Sequence, residues 1–340
     1  MVMKNVRLIN QFLLFFLVFG FICSCQRNPL KVDVSNVEID FKFKNYENDL
    51  FAGANNLEQA VPQLEKEYGS FFELYNYHMI GIGGPDDETF YPQLKSFVAD
   101  TLIVNLKKQV DQIIDKQQLK HDFEQTFKYY HHYFPEKVIP SVYTCVSGLN
   151  QSVVLADSLI GISLDKYLGA DSNYYPRLGL PVYKIRNMNP KKIVPDAMYF
   201  WAMTEYPINP NASKVIENMI YQGSLYYFVD AMMPEVSDTL KIGYTARQLE
   251  FCKNSEAAMW AYMAEQNLLF STKRMDIKRY VDDGPYTSSF TTESPGRVGA
   301  WLGWQIVRAY MKKNPEVTLN QLMEKQDYLQ ILNQSGYQPE

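Results

Sequence analysis

Apolar positions recur at two different periods along this chain, and the period decides what each stretch can become. In the first third the spacing is helical. It predicts helices over Asn48–Gln63, Leu64–Asn76, Asp87–Lys95, Ser96–Lys116 and Leu119–Phe134, with Leu64, Tyr68, Phe71, Phe72 and Tyr75 on one face of the second. Before them, Val37–Phe43 alternates, placing Val37, Ile39, Phe41 and Phe43 on one side of a strand. From Val138 short β-branched runs take over. Val138–Val146, Gln151–Leu155 and Ser158–Ile162 predict a small sheet that Val37–Phe43 joins.

From Pro195 onward the pattern is helical again, and Met198–Pro234 is its centre. Asp196–Glu205 is apolar on most sides and ends at Pro207–Pro210; Pro210-Asn-Ala-Ser213 caps a second helix, Lys214–Met233. On that helix Val215, Ile216, Met219, Ile220, Tyr226, Tyr227 and Val229 wrap so widely that it must be interior. Gly223 in its middle costs about 1 kcal/mol of helix propensity, which points to close approach by another backbone. Thr245 and Gln248 form a capping box ahead of a helix over Leu249–Phe270. Ser294-Pro295 reads as N-cap and first turn of a helix running to Lys313. Gly299 and Gly303 share one face of it, expected to pack near Gly223. Thr318-Leu-Asn-Gln321 opens a short helix, and Tyr328–Gln334 forms another. Together these elements predict one α+β domain over 37–340, predominantly α-helical with a small β-sheet, its core at about 138–315.

Composition changes this picture little. Hydrophobic residues are 46% and charged residues 21% of 340, a globular balance, and tyrosine (25) and phenylalanine (20) are abundant. The formal net charge is −5 with no basic stripe, which argues against a nucleic-acid partner. The first residues change it more. Lys4 and Arg7 precede an apolar run, Phe12–Ile22, too short to span a bilayer, and then Ser24-Cys25. This predicts a lipoprotein signal peptide over 1–24, lipidation of Cys25 and a tether over 25–36. Cys25 is preferred to Cys23 because the residue before it is small. Removing the leader takes two bases and leaves a net charge of −7. No acidic cluster follows Cys25, which favours a domain facing the periplasm. Cys145 and Cys252 are expected as buried thiols.

Candidate chemistry is sparse. The chain has no His-Glu-x-x-His, no Gly-x-Ser-x-Gly, no Cys-x-x-Cys and no phosphate-binding glycine loop. His131 and His132 are helix neighbours about 100° apart and do not share a face; His78 and His121 are not at ligand spacing from them. Asp282-Asp-Gly284 begins like a calcium loop, but Gly284, Tyr286 and Phe290 stand where carboxylates are needed. The remaining candidates are Glu205, Glu217 and Asp230, acids in or beside apolar helices, where a carboxylate is costly unless paired. They define the alternative of a hydrolase with a non-standard carboxylate site; another is an envelope glycan-binding module that uses the tyrosines.

Several blocks carry a resemblance. LDKYLGADSNYYP (164–176), ENMIYQGSLYYFVDAMMP (217–234), SPGRVGAWLGWQIVRAYMKKNP (294–315), the Ser335-Gly-Tyr-Gln-Pro ending and the lipobox-like Ile22-Cys-Ser-Cys25 together resemble the GldB family, gliding-motility lipoproteins of Bacteroidota. The resemblance implies a cell-envelope lipoprotein required for gliding, held to a membrane by the lipid on Cys25. Its implied partners are other envelope proteins of the gliding machinery, which also serves type IX secretion. More distantly the chain resembles gluzincin-type zinc metallopeptidases. Trp201–Tyr206 stands where their first motif would be and Gln222-Gly223 where Glu-Gly would be, while Pro295-Gly296 and Leu302-Gly303 are kept. This second resemblance implies a zincin-like fold without zinc ligands: no metal, no cofactor and no enzyme. Glu205, Glu217, Gln222 and Tyr226 would then line a leftover groove able to hold a partner segment.

Overall fold

In the computed structural model, which describes residues 28–340, the helix Val215–Met232 is the element the others are packed around. Its partners are Ile193–Glu205, Val298–Lys313, Arg274–Val281, Tyr328–Ser335 and Lys116–Tyr133. Its interior position follows from composition: only Glu217, Asn218 and Gln222 escape full burial along its length. Residues 34–340 form one compact unit holding every helix and strand described here. Residues 1–33 form the other unit. Among its described residues a turn is closed by the Lys31 N–H donating to the Asn28 carbonyl at 3.0 Å. Cys25 and the leader lie outside the described residues. No described helix is long and apolar enough to cross a membrane.

Among the described residues the fold is α+β and mostly helical, with one four-stranded sheet. Its strands are β1 (Phe43–Asn45), β2 (Ser141–Cys145), β3 (Val153–Ala156) and β4 (Leu159–Ser163), in the order β1-β2-β4-β3. β1, β2 and β4 run parallel, pairing Phe43 with Val142 and Tyr143 with Gly161; β3 returns antiparallel on β4. Period-two alternation then separates two faces. Tyr143, Cys145 and Leu159 turn toward an aromatic cluster built on Tyr46, Phe71 and Tyr75, where the Phe71 and Tyr143 rings stack at 4.7 Å. Gly161 is required there, because a Cβ would stand 2.8 Å from the Phe71 ring. The other face presents the fully buried Val142, Ile160 and Ile162.

Several predicted elements end elsewhere, each for a local reason. The alternation at Val37–Phe43 yields a strand only from Phe43. Upstream, the Lys42 carbonyl still accepts one bond from the Val142 N–H at 2.8 Å, and Phe41 packs edge-on against Phe127 at 5.2 Å on a helix face. Ser96–Lys116 is interrupted at Asp100, whose side chain accepts from the Leu102 and Ile103 N–H groups and restarts the helix. Leu249–Phe270 is two helices, Ala246–Asn254 and Glu256–Glu265, broken at Ser255. Lys214, not Ser213, is the N-cap of the central helix. Ser294 does not cap the helix after it: that helix starts at Val298, and the Ser294 hydroxyl donates to Thr291 and Thr287 carbonyls. Cys145 and Cys252 are free, buried thiols, and burial pushes both above the usual thiol range.

Candidate functional site

The centre of the domain is built by glycine. Gly303 on Val298–Lys313 meets Met219 and Gly223 on Val215–Met232, backbone against backbone, while Gly299 one turn earlier meets the Tyr280 backbone. A Cβ on Gly223 would lie 2.6 Å from the Trp304 nitrogen, and one on Gly299 would lie 2.7 Å from the Tyr280 carbonyl oxygen. Gly296 continues the seam, with no room for a Cβ beside the Gly284 backbone. The glycines at 296, 299 and 303 therefore seat three different backbones in succession. Thr287 and Tyr244 lock the approach, their hydroxyls donating to the Pro295 and Gly296 carbonyls at 2.9 and 2.7 Å.

A row of aromatic rings runs along this seam. The Tyr199 hydroxyl, from Ile193–Glu205, donates to Gln222 Oε1, and its ring lies 5.1 Å from that of Tyr226. Tyr226 lies 5.2 Å from Trp304, and the Arg308 guanidinium stacks over Trp304 at 3.9 Å. Gln222 and Tyr226 share a face because they are one helical turn apart. Arg297 closes the row, donating from Nη1 to the Tyr226 hydroxyl (3.1 Å) and from Nη2 to the Ile242 carbonyl (2.7 Å). Its backbone is left-handed, with φ of 60°, a conformation unfavourable for a side-chain-bearing residue. That twist turns the arginine into the seam at the head of its helix. Burial pushes the Tyr199 and Tyr226 phenols up, so both carry their protons at neutral pH. Burial alone would lower Arg297; the phenols and Asp283 around it outweigh that and hold it above its ordinary range.

The four residues assigned to one groove divide into two sets. Gln222 and Tyr226 belong to the ring row. Glu205 ends its helix in an ion pair with Lys137 at 3.0 Å. Glu217 caps the central helix, accepting from the Ser213 and Lys214 N–H groups at 2.9 and 2.8 Å. Burial pulls Glu217 upward, but those N–H groups and Lys214 prevail, so it sits below the usual carboxylate range. Asp230, thirteen residues along the same helix and so about 20 Å away, is 4% exposed. It accepts from Lys241 Nζ (2.7 Å), Trp304 Nε1 (2.8 Å) and Arg308 Nε (2.9 Å), and Arg308 also grips Asp238 with both terminal nitrogens. Glu217 and Asp230 thus serve opposite ends of one helix as cap and as cross-tie, and the triad does not converge.

Tyr199, not the stretch from Trp201, is what meets Gln222, and sequence alone did not single it out. Nor did it single out Arg297, whose role depends on a backbone twist no composition reveals. A phenol, an amide, a second phenol and a fixed guanidinium make a donor set that does not fit zinc, which takes thiolate, imidazole or carboxylate ligands. Among the described residues, no group of three or more His, Cys, Asp and Glu side chains is placed to hold a metal ion.

Two depressions adjoin this core. One is a small polar pit of about 10 Å³ beside Arg297, lined also by Tyr183, Arg186, Gly243 and Asp283. The other, about 370 Å³ and open to solvent, lies at Asn209, Asn211, Glu217, Gln326, Asp327 and Tyr328.

A mostly helical α+β domain with a glycine-sealed helix pair, its central row closed by neutral side chains and a fixed arginine, is the class these features define. The chain belongs to the GldB family: the family model described as gliding motility protein GldB matches residues 27–339. No curated protein matches the chain, and no solved structure does. The resemblance to zinc metallopeptidases has no support among these comparisons.

Proposed function

We propose that this protein is a non-enzymatic cell-envelope lipoprotein required for gliding motility, anchored by a lipid on Cys25 and facing the periplasm. It helps assemble or stabilise the gliding and type IX secretion machinery through protein contacts. Family membership supports the gliding role. One observation supports the non-catalytic part: in the packed seam Tyr199 donates to Gln222 and Arg297 to the Tyr226 hydroxyl, so these side chains are engaged with one another. General acid–base work needs a group that exchanges protons near neutral pH, and two phenols pushed upward beside a guanidinium do not supply one.

The hydrolase alternative requires Glu205, Glu217 and Asp230 to act together, and each is engaged in a separate structural task. Cross-linking in the native envelope, followed by recovery of the protein, is expected to capture other gliding-machinery proteins. A chain carrying both Glu205→Gln and Glu217→Gln, present at normal abundance, is expected to support gliding. Loss of gliding in that variant, or stoichiometric zinc in the purified protein, would overturn the reading. Cys25→Ser is expected to abolish palmitate labelling; persistent labelling would move the anchor or remove it.

A further inference from the structure

Between Asp171 and Asp196 the chain carries no acid. The 24 residues between them hold five bases, Arg177, Lys184, Arg186, Lys191 and Lys192, in a protein whose acids outnumber its bases 38 to 33. Two of the five turn inward: Lys192 pairs with Asp196 at 2.7 Å, and Arg186 donates to Gln248 and the Gly243 carbonyl. Arg177 and Lys184 are exposed, and they bracket the stretch 178–183. Asp283, 4.0 Å from Lys184, is shared with Arg297 at 3.6 Å and leaves the loop cationic.

The bracketed stretch faces water with aliphatic groups. Val182 is 82% exposed, more than any other large apolar side chain among the described residues, and Leu178 is 49% exposed. The backbone that presents them is fixed. The Gly179 N–H donates to the Pro176 carbonyl at 3.0 Å, with Gly179 left-handed, and the Lys184 N–H donates to the Pro181 carbonyl at 2.9 Å. Tyr175 and Ile185, on either side of the stretch in the chain, are buried. The Tyr175 hydroxyl accepts from the Leu168 N–H at 2.7 Å and donates to the Asp165 carbonyl at 2.9 Å. A loop already ordered loses little further entropy when its aliphatic groups are covered.

Aliphatic groups between two cations are complementary to a bilayer with anionic headgroups. There apolar side chains enter the headgroup–acyl boundary, while arginine and lysine stay at the phosphates. The anchor brings such a surface within reach. Nine residues separate Cys25 from Val34, where the compact unit begins, and fully extended they span at most about 30 Å. A lipid on Cys25 therefore keeps a bilayer close to the domain, and a second contact with it forms without a search through solution.

We propose that the loop 177–184 rests on the anionic surface of the membrane that holds the lipid. Leu178 and Val182 enter the headgroup–acyl boundary to a depth of about 5–10 Å, with Arg177 and Lys184 at the phosphates. This rests on the reading of the chain as a lipoprotein anchored at Cys25, and adds a second contact that fixes which face of the domain meets the bilayer.

The test uses the lipidated mature protein in vesicles of phosphatidylcholine, with or without phosphatidylglycerol. A nitroxide is attached through Val182→Cys or, as control, Met275→Cys, a position 66% exposed on another helix; Cys145 and Cys252 are buried and do not compete. In anionic vesicles the label at 182 is expected to collide more with oxygen and less with a water-soluble nickel chelate, while the label at 275 stays in water. Arg177→Gln with Lys184→Gln, both at exposed side chains, should lower the ratio of immersed to free loop by roughly fivefold for each charge. A label at 182 as wet as the one at 275, equal immersion in neutral and anionic vesicles, or no effect of the paired substitution would each overturn the proposal. Palmitate labelling reports the anchor separately. Its absence removes the anchor and this contact together, whereas a palmitate-bearing protein with a wet label at 182 overturns this contact alone.

Discussion

Gly223 and Gly303 face each other across the central helix pair with no side chain between them, so that a Cβ on Gly223 would run into the Gly303 carbonyl and the Trp304 nitrogen. Helix axes ordinarily stay 8–10 Å apart because side chains keep them there. Here glycine removes that spacer, and each glycine forgoes about 1 kcal/mol of helix propensity to do so. Gly303→Ala regains that propensity and still loses, because the new methyl group meets the Met219 backbone, which cannot move without shifting its helix. We expect a net loss of about 2 kcal/mol or more, read as a lowered urea midpoint. Gly284→Ala is the control: its Cβ would meet nothing nearer than 3.6 Å and should be tolerated. Equal stability of the two variants would remove the seam from the argument.

Asp230 ties the same two helices together electrostatically. Its oxygens hold Lys241, Trp304 and Arg308, and the Lys241 side chain is 3% exposed with its ammonium 2.7 Å from Asp230. Asp230→Asn keeps the shape and strands a buried ammonium, a change that costs about 3–5 kcal/mol when one partner of a buried pair is lost. Lys241→Met in the Asp230→Asn background should recover part of that loss, because the stranded charge is gone. A double-mutant cycle in urea measures the coupling; simple additivity would mean that the two groups do not depend on each other.

How far could this have been read beforehand? The central helix was legible within a residue at each end, because apolar residues on every side leave few alternatives to an interior helix. The approach of Gly303 to Gly223 was legible too, since glycine at helical spacing has few other uses, whereas Gly299 meets the Tyr280 backbone instead. The Thr245 box formed as expected. What was not legible depends on tertiary contacts. Glu205 and Glu217 looked like groove acids because they border apolar runs, yet each is occupied at a helix end by Lys137 or by backbone N–H groups. Ser294-Pro295 has the composition of a helix start, but the left-handed Arg297 moves that start to Val298. A residue's composition reports what it can do locally; which partner reaches it first is decided by the fold.

Glu205 and Glu217 should respond differently to neutralisation. The Glu205–Lys137 pair is partly exposed, 26% and 39% at its two side chains, and Glu205→Gln should change stability by less than about 1 kcal/mol. Glu217 receives two backbone N–H groups at the first turn of the central helix, and Glu217→Gln should cost about 1 kcal/mol, the scale of a lost cap. Thermal melts of the two single variants separate these cases. A larger loss at Glu205 than at Glu217 would contradict the capping assignment.

Asp165 gives the domain a pH dependence of unusual sign for a carboxylate. It is fully buried at the end of the sheet and accepts from the Ser147 and Leu149 N–H groups at 3.2 and 2.5 Å. Those bonds hold a loop in which Gly148 and Leu149 are left-handed in succession, with φ of 74° and 67°. Burial is the larger influence. It pushes the Asp165 carboxyl up to about 6 although the two N–H groups pull it down, against about 3.9 for an unfolded chain. Between those values the folded protein keeps a proton that the unfolded chain has lost. The contribution to stability is therefore complete below about pH 4 and declines as pH rises to about 6, by on the order of 3 kcal/mol. Above that it is flat. Asp165→Asn removes the titration, so the difference in urea stability between the native chain and the variant should change across that window and level off at neutral pH. A difference that stays constant from about pH 4 to 7 would mean that Asp165 is not the buried acid responsible.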